Sequence, residues 1–491
     1  MRRPAVYQKR PGGAGKEKSM KILFAAAEAL PFIKVGGLGD VASALPKALA
    51  EKGHDVRVVL PLYSSIKPEM REKCHYLKYF YFMHGWRNSY CGIFEAEIDG
   101  VTYYLIDNEY YFKRRAPYGE YDDGERFAYF SRAVLEILPQ VDFFPDIIHA
   151  NDWHTAAVPV YLDAQYRGRA GYEYIKTVFS IHNIEFQGKY GMETLESVFA
   201  LPSDWAPVVE HDGCMNLMKG AIERANAVTT VSETYASEIL DPYFSFGLDS
   251  ILRPRQFKLS GIINGIDMKT FDPASDPAIP VHYSLKTRKD KVKNKLALQK
   301  ELGLREDKDV PMIGMVGRLT SQKGIDLLYP IMEELMKKDV QLVILGTGYP
   351  EIEDFFRFCD AAYHDKVRAM ITFSASMAQK IYAGADLFLM PSKSEPCGLA
   401  QMISMRYGTI PVVHAVGGLK DTVIPYNPEA GTGTGVNFQS YNAWDMYNAI
   451  ERALDIWYDP VSRDKIMVNA MSGDYSWKKS AEKYIRLYQS V

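Results

Sequence analysis

From Lys21 onward the chain alternates short apolar runs with longer stretches of helical spacing, joined by loops rich in glycine and polar residues. A strand covered on both faces shows no polar alternation, so short apolar runs that end at turn signals predict buried parallel strands. Strands are predicted on this basis at 21–27, 56–60, 102–106, 146–149, 177–180 and 227–231, with a helix at 38–52. The alternation breaks between 260 and 304, where turn-rich Ile262-Ile263-Asn264-Gly265-Ile266-Asp267 leads into Pro-rich sequence and a basic run from Lys286 to Lys300. It then resumes, with strands predicted at 312–316, 341–345, 367–373, 387–390 and 410–413. Alternating β and α elements argue for parallel sheets with helices on both faces. A boundary close to Gly261 gives two α/β units of similar size facing each other across a cleft, a favoured place for ligands.

Length and composition narrow the class. The 491 residues suit two or three domains, and 47% hydrophobic with 24% charged residues is ordinary for a globular protein. A net charge of −3 offers no handle for nucleic acid or an anionic membrane, and neither is expected as a partner. No apolar run approaches the ~18–20 residues that cross a bilayer. Five scattered cysteines form neither a disulfide framework nor a pair with metal-ligand spacing, so reduced thiols in a cytoplasmic protein are expected. Residues 1–19 carry Arg2, Arg3, Lys9, Arg10, Lys16 and Lys18 against Glu17, without apolar periodicity or a secretory apolar core. They are expected to be a disordered leader ahead of Met20.

Candidate chemistry gathers in loops at strand ends. Lys393-Ser-Glu395-Pro-Cys397-Gly398-Leu follows the run ending at Met390 and precedes a helical stretch from Leu399 to Tyr407. Glu395 therefore stands at a strand's carboxyl end, where open α/β sheets bind ligands. Lys34-Val-Gly36-Gly37-Leu-Gly39-Asp40 joins the first strand to the first helix, and glycines there let backbone N–H groups approach an anion. Its spacing is neither G-x-G-x-x-G nor the Walker A order. Gly317-Arg318-Leu-Thr-Ser-Gln-Lys323-Gly324 puts two cations on one loop, a pairing suited to a diphosphate. Val416-Gly417-Gly418 is a second glycine turn entering a helix, whereas Gly431-Thr-Gly433-Thr-Gly435 reads as a plain flexible loop. In the first half, His149-Ala-Asn151-Asp152-Trp153-His154 and Ser180-Ile-His182-Asn183 both end predicted strands. Such groups suit a polar pocket with an aromatic wall for a hydroxyl-rich ligand. No partner at metal-ligand spacing accompanies these histidines, and neither metal nor cofactor is expected.

Together these residues resemble the bacterial glycogen synthase and plant starch synthase family of retaining glycosyltransferases. The likeness rests on Lys34 to Asp40, His149 to His154, His182-Asn183, Asn264 to Asp267, Gly317-Arg318, Lys323-Gly324, Glu395 to Gly398 and Gly417-Gly418-Leu, in family order. It implies a GT-B architecture: α/β, with two Rossmann-like domains whose parallel sheets face a central cleft. The implied division is 20–261, 262–467 and a helical tail, 468–491, returning to the first domain. It further implies ADP-glucose as donor and the non-reducing end of an α-1,4-glucan as acceptor. Arg318 and Lys323 would hold the diphosphate, with Gly417 and Gly418 assisting. Lys34, with Gly36, Gly37 and Asp40, would meet the donor from the first-domain side. His182 would sit beside the transferred glucose, and Glu395 would contact that sugar as nucleophile or as ligand in a front-face displacement. Asp152, Asn183, Asn264, Cys397 and Gly398 match positions lining the same cleft. Val416 departs from the family's frequent threonine, and the segment 108–118, with Tyr110, Tyr111 and Arg114, is variable and receives no role. The rival readings are another GT-B enzyme using a UDP-sugar and a silent glucan-binding homologue. Glucan phosphorylase is disfavoured, because no stretch resembles its cofactor loop.

Overall fold

The computed structural model describes residues 19–491, so the leader expected at 1–19 lies, apart from Ser19, outside the described residues. In chain order the strands of the first half are β1 (Lys21–Ala25), β2 (Asp55–Pro61), β3 (His75–His84), β4 (Arg87–Ile98), β5 (Val101–Asp107), β6 (Ile147–Asn151) and β7 (Lys176–Ile181). The short β8 (Lys189–Tyr190), β9 (Glu210–His211) and β10 (Cys214–Asn216) follow, then β11 (Ala227–Thr230) and β12 (Leu259–Gly261). The second half contributes β13 (Met312–Val316), β14 (Gln341–Leu345), β15 (Val367–Met370), β16 (Leu387–Met390), β17 (Ile410–His414) and β18 (Val436–Phe438).

The first sheet runs β12-β11-β7-β6-β1-β2-β5-β4-β3 and is parallel from β12 to β5. The second runs β15-β14-β13-β16-β17-β18 and is parallel throughout. Both follow the doubly wound plan, in which strand order reverses beside the first strand and opens a crevice at the carboxyl ends. The crevices lie between β1 and β6 in one sheet and between β13 and β16 in the other. The central strands are buried almost end to end, as the uninterrupted apolar runs require.

The reading from the sequence omitted β3, β4, β12 and β18, and the short β8, β9 and β10, which pair as a separate sheet in the order β8-β10-β9. β3 and β4 form an antiparallel hairpin at the free edge of the first sheet, with β4 antiparallel to β5. One face of β3 is solvent-exposed and tyrosine-rich, so it lacks the solid apolar run of an interior strand. β12 and β18 span three residues each and carry almost no periodic signal. The Gly431–Gly435 run is not loose. Asn469 Nδ2 donates to the Gly431 and Gly433 carbonyls, both at 3.0 Å, and Gly431 N donates to Asn427 O at 2.8 Å. The helix Trp477–Ser490 lies back on the first sheet's side of the molecule. Ser480 Oγ donates to Ile263 O at 2.5 Å, the Tyr488 hydroxyl meets His149 Nδ1 at 2.7 Å, and Lys52 pairs with Glu482 at 2.7 Å.

Candidate active site

Loops from both crevices line one cleft of about 610 Å³, a volume suited to a ligand of nucleotide-sugar size. Its walls bring together Gly36, Gly37, Asp152, His182, Asn183 and Asn264 with Arg318, Lys323, Glu395, Cys397 and Gly398. Lys34, Asp40, Gly417 and Gly418 are not among the lining residues.

Two loops of the second sheet lock together beneath the charged groups. Gly324 has φ +69, and a Cβ there would stand 2.0 Å from Pro391 O, so a side chain would force the β13 and β16 loops apart. Lys393 N donates to Gln322 O at 2.9 Å across the same junction. This seats Lys323 Nζ 2.6 Å from Glu395 Oε2, which also accepts from Ser392 Oγ at 2.9 Å. Glu395 is buried, and a buried carboxylate requires such partners to remain in place. Arg318 is exposed and has no carboxylate within 4.0 Å among the described residues. The cleft thus holds one engaged cation and one open guanidinium, whose planar fork is shaped for two phosphate or carboxylate oxygens.

The facing wall is polar and carries carboxyl groups. Asp152 follows β6 with φ 55, an uncommon setting for a residue with a side chain, and its Oδ1 accepts from His182 N at 2.8 Å. Burial raises the Asp152 carboxyl to about 7, against the lowering effect of the His182 and Asn183 amides. Burial lowers His182 to about 4, so its ring is neutral near pH 7. The Asn151 amide nitrogen donates to Ala25 O and His149 O, which turns Oδ1 towards His182 Nε2 at 2.9 Å. Nε2 must then carry the proton, leaving Nδ1 as an acceptor. Asn264 Oδ1 is buried with no hydrogen-bond partner among the described residues, an acceptor on the cleft wall. Burial pushes the Cys397 thiol up to about 12, so it is no nucleophile at neutral pH.

Both glycine turns differ from expectation in what their amides meet. Val35 N and Gly36 N donate to the carboxylate of Glu28, a buried residue on the cleft wall. The first glycine loop is therefore filled by an internal anion. Lys34 pairs with Asp40 at 2.7 Å at the rim. Gly417 N donates to Glu238 Oε1 at 2.9 Å, and Gly418 N to Glu395 O at 3.0 Å. The second turn thus clamps the Glu395 loop from behind. His149 also departs from a pocket role: both ring nitrogens are bonded inside the core, to the Tyr488 hydroxyl and, at 2.6 Å, to Ser180 Oγ.

Reasoning from the sequence missed Glu28, Tyr118, Asp123 and Ser392 on the cleft wall. Glu28 carried a usable signal, a lone acid inside the apolar Ala25-Ala-Ala-Glu-Ala29 at a strand end. Tyr118 and Asp123 lie in the variable segment or just beyond it and carried none. Tyr118 packs on His154, 4.7 Å between ring centroids, and His154 stacks on Trp153 at 4.1 Å, which makes the wall aromatic.

Comparison with known proteins agrees with this geometry. Residues 21–254 match the family described as starch synthase catalytic domain, and 299–470 match glycosyl transferases group 1. The chain is 51% identical to a glycogen synthase of Clostridium perfringens, covering 96% of this chain and 99% of that protein. It is 49% identical to a glycogen synthase of Ligilactobacillus salivarius, covering 96% and 100%. Among solved structures, the catalytic domain of starch synthase IV from Arabidopsis thaliana, bound to ADP and acarbose, superposes with a TM-score of 0.89 at 34% identity, over 96% of this chain and 99% of that one. A sucrose-phosphate synthase from Thermosynechococcus elongatus shares the fold at a TM-score of 0.61 and 19% identity. Matched along nearly its whole length, with two doubly wound sheets meeting at one charged cleft, the chain belongs to the glycogen synthase and starch synthase family of GT-B glycosyltransferases.

Proposed function

We propose that the protein transfers glucose from ADP-glucose to the non-reducing end of an α-1,4-glucan with retention of configuration. The observation that carries this reading is the open Arg318 guanidinium beside the Lys323–Glu395 ion pair at the second sheet's crevice. Arg318 and Lys323 take the donor's diphosphate and offset the negative charge that grows on departing ADP. As Lys323 turns to phosphate, Glu395 is released towards the transferred sugar, where a carboxylate stabilises positive charge at the anomeric carbon. His182, Asp152, Asn183 and Asn264 supply hydrogen-bonding partners for sugar hydroxyls from the facing wall and the linker. Gly417 and Gly418 act indirectly, by holding the Glu395 loop. Lys34 reaches the donor by exchanging Asp40 for phosphate, beside Gly36 and Gly37, and Cys397 and Gly398 shape the floor under the sugar. Residues 20–261 form the acceptor side, 262–467 the nucleotide-sugar side and 468–491 a tail, in a cytoplasmic enzyme.

The test is incorporation of glucose into glycogen from ADP-glucose and from UDP-glucose, side by side, with chelator present. Rapid transfer from ADP-glucose is expected. Marked preference for UDP-glucose would instead assign another sugar-nucleotide transferase, and ADP binding without transfer from either donor would assign a silent homologue.

A further inference from the structure

A second cavity, of about 990 Å³, opens in the second half of the chain. Its walls include Lys308, just ahead of β13, and Asp386, just ahead of β16. It therefore lies at the amino ends of those strands, whereas the candidate active site occupies their carboxyl ends, roughly 15 Å further along. The remaining walls come from 288–295, from the loop 426–431 and from the start of the helix Pro460–Met471. Seven Lys or Arg side chains and four carboxylates line it, in a chain whose net charge is −3.

Three of these cations hold the fold together. Arg288 bonds both oxygens of Asp464 at 2.7 Å, and Lys295 pairs with Asp386 at 2.7 Å. Lys291 Nζ donates to Tyr382 O, Ala383 O and Thr409 Oγ1, at 3.1, 2.8 and 2.8 Å, where the helix Ala375–Gly384 ends. The other four, Lys289, Lys308, Arg463 and Lys465, have no carboxylate within 4.0 Å among the described residues. Of the lining acids, Asp309 and Glu429 stand without a cation, so the unpaired charge is positive. Two details keep unpaired cations at the wall. Arg463 packs on Trp457, 4.9 Å from its ring. Gly431 has φ +62, and a Cβ there would stand 3.1 Å from Lys465 Cε, so glycine leaves that side chain its path across the loop.

We propose that this cavity binds a small molecule carrying two or more phosphate groups, held by Lys289, Lys308, Arg463 and Lys465, at a site separate from the donor's. Like charges gathered around one concavity repel each other, and a compact polyanion relieves that repulsion. Arginine supplies a planar fork for two oxygens, and the lysines supply movable point charges. Burial lowers the Lys291 ammonium to about 7, and an anion beside it favours the charged form. A concave wall suits a compact ligand better than a nucleic-acid backbone, which needs an extended track of cations. Lys289 lies at the end of the passage 262–290 from the first half, and the helix Pro460–Met471 precedes the returning helix Trp477–Ser490. An anion held between them ties both crossings of the chain together.

The experiment is titration calorimetry of the whole chain with pyrophosphate, with ADP saturating the cleft and at about 0.15 M salt, where distant charges are screened. Wild type is expected to bind one further pyrophosphate. The double variant Lys289→Ala, Lys465→Ala should bind it about tenfold more weakly, the scale for a lost charge-assisted contact. Lys308→Ala, on a different segment, should weaken it in the same direction. Still with ADP saturating, pyrophosphate should raise the thermal midpoint of wild type and leave that of the double variant nearly unmoved. Loss of all pyrophosphate heat once ADP is present would place binding in the cleft alone and overturn the proposal. So would binding that neither variant weakens. Equal affinity for pyrophosphate, orthophosphate and sulfate would overturn it as well, since it would show a general attraction for anions.

Discussion

At the scale of single residues, the site turns on a competition for one ammonium group. Lys323 is bonded to Glu395 at 2.6 Å, and on the proposed reading a diphosphate competes with that carboxylate for the ammonium. Glu395→Gln is therefore expected to lower kcat by about 100-fold or more, since an electrostatic partner of the transition state is lost. Affinity for ADP should hold or improve, because Lys323 no longer pairs with an anion. Near-normal turnover would remove Glu395 from the reaction. Lys323→Ala should weaken ADP binding by about 1.5–3 kcal/mol, the range for a lost hydrogen bond to a charged group. Titration calorimetry reads this directly, and an unchanged ADP dissociation constant would contradict the diphosphate role. Lys323 and Glu395 were both legible in the sequence, because glycine- and proline-marked loops after strands point to the crevice. Their mutual pairing was not, since it spans 72 positions. The same limit hid the Glu28 contact: a Gly-rich loop announces that its amides approach an anion, not that the anion belongs to the protein.

At the scale of elements, the turn Gly417–Gly418 packs directly against the loop that carries Glu395. A Cβ on Gly418 would stand 2.0 Å from Cys397 O, and one on Gly417 2.1 Å from Glu395 O. Gly418→Ala should therefore push the Glu395 loop forward and cost roughly 1–3 kcal/mol of stability, as overpacking does. Turnover should fall with ADP affinity largely kept. Thermal unfolding with steady-state kinetics checks this, and a variant with wild-type kcat and midpoint would show that the clamp is dispensable. The interior strands were readable because parallel strands buried on both faces need unbroken apolar runs. The β3–β4 hairpin was not, because its identity depends on lying at an edge, and position within a sheet is absent from local pattern.

For the whole molecule, buried histidines set the response to acid. Burial lowers His84, His149 and His154 to about 3 and His182 to about 4, so the fold holds each neutral. In the unfolded chain each takes a proton near 6.5. The unfolded state then binds more protons below that pH, and stability is lost as pH falls from about 6.5 towards 4. Asp152 works in the opposite sense. Raised to about 7, it binds a proton in the fold that the unfolded carboxyl releases down to about 3.9, so it adds stability on acidification through that window. Burial also raises the carboxyls of Glu28, Asp107 and Glu238, which act in the same sense as Asp152. The four imidazoles are expected to outweigh them, so that the thermal midpoint drops between pH 6.5 and 4.5; a level or rising midpoint would contradict this balance. Three of the four, His149, His154 and His182, were singled out in the sequence, but only packing separates the one sealed by the C-terminal helix from the two on the cleft wall. The sequence by itself determined the two alternating α/β halves, the loops that carry charge and the family motifs, because these are written in local periodicity and turn chemistry. Tertiary structure alone decided which amides are filled by Glu28 and Glu238 and which cation is open. Those outcomes depend on groups far apart in the chain meeting at the distances where hydrogen bonds and ion pairs act.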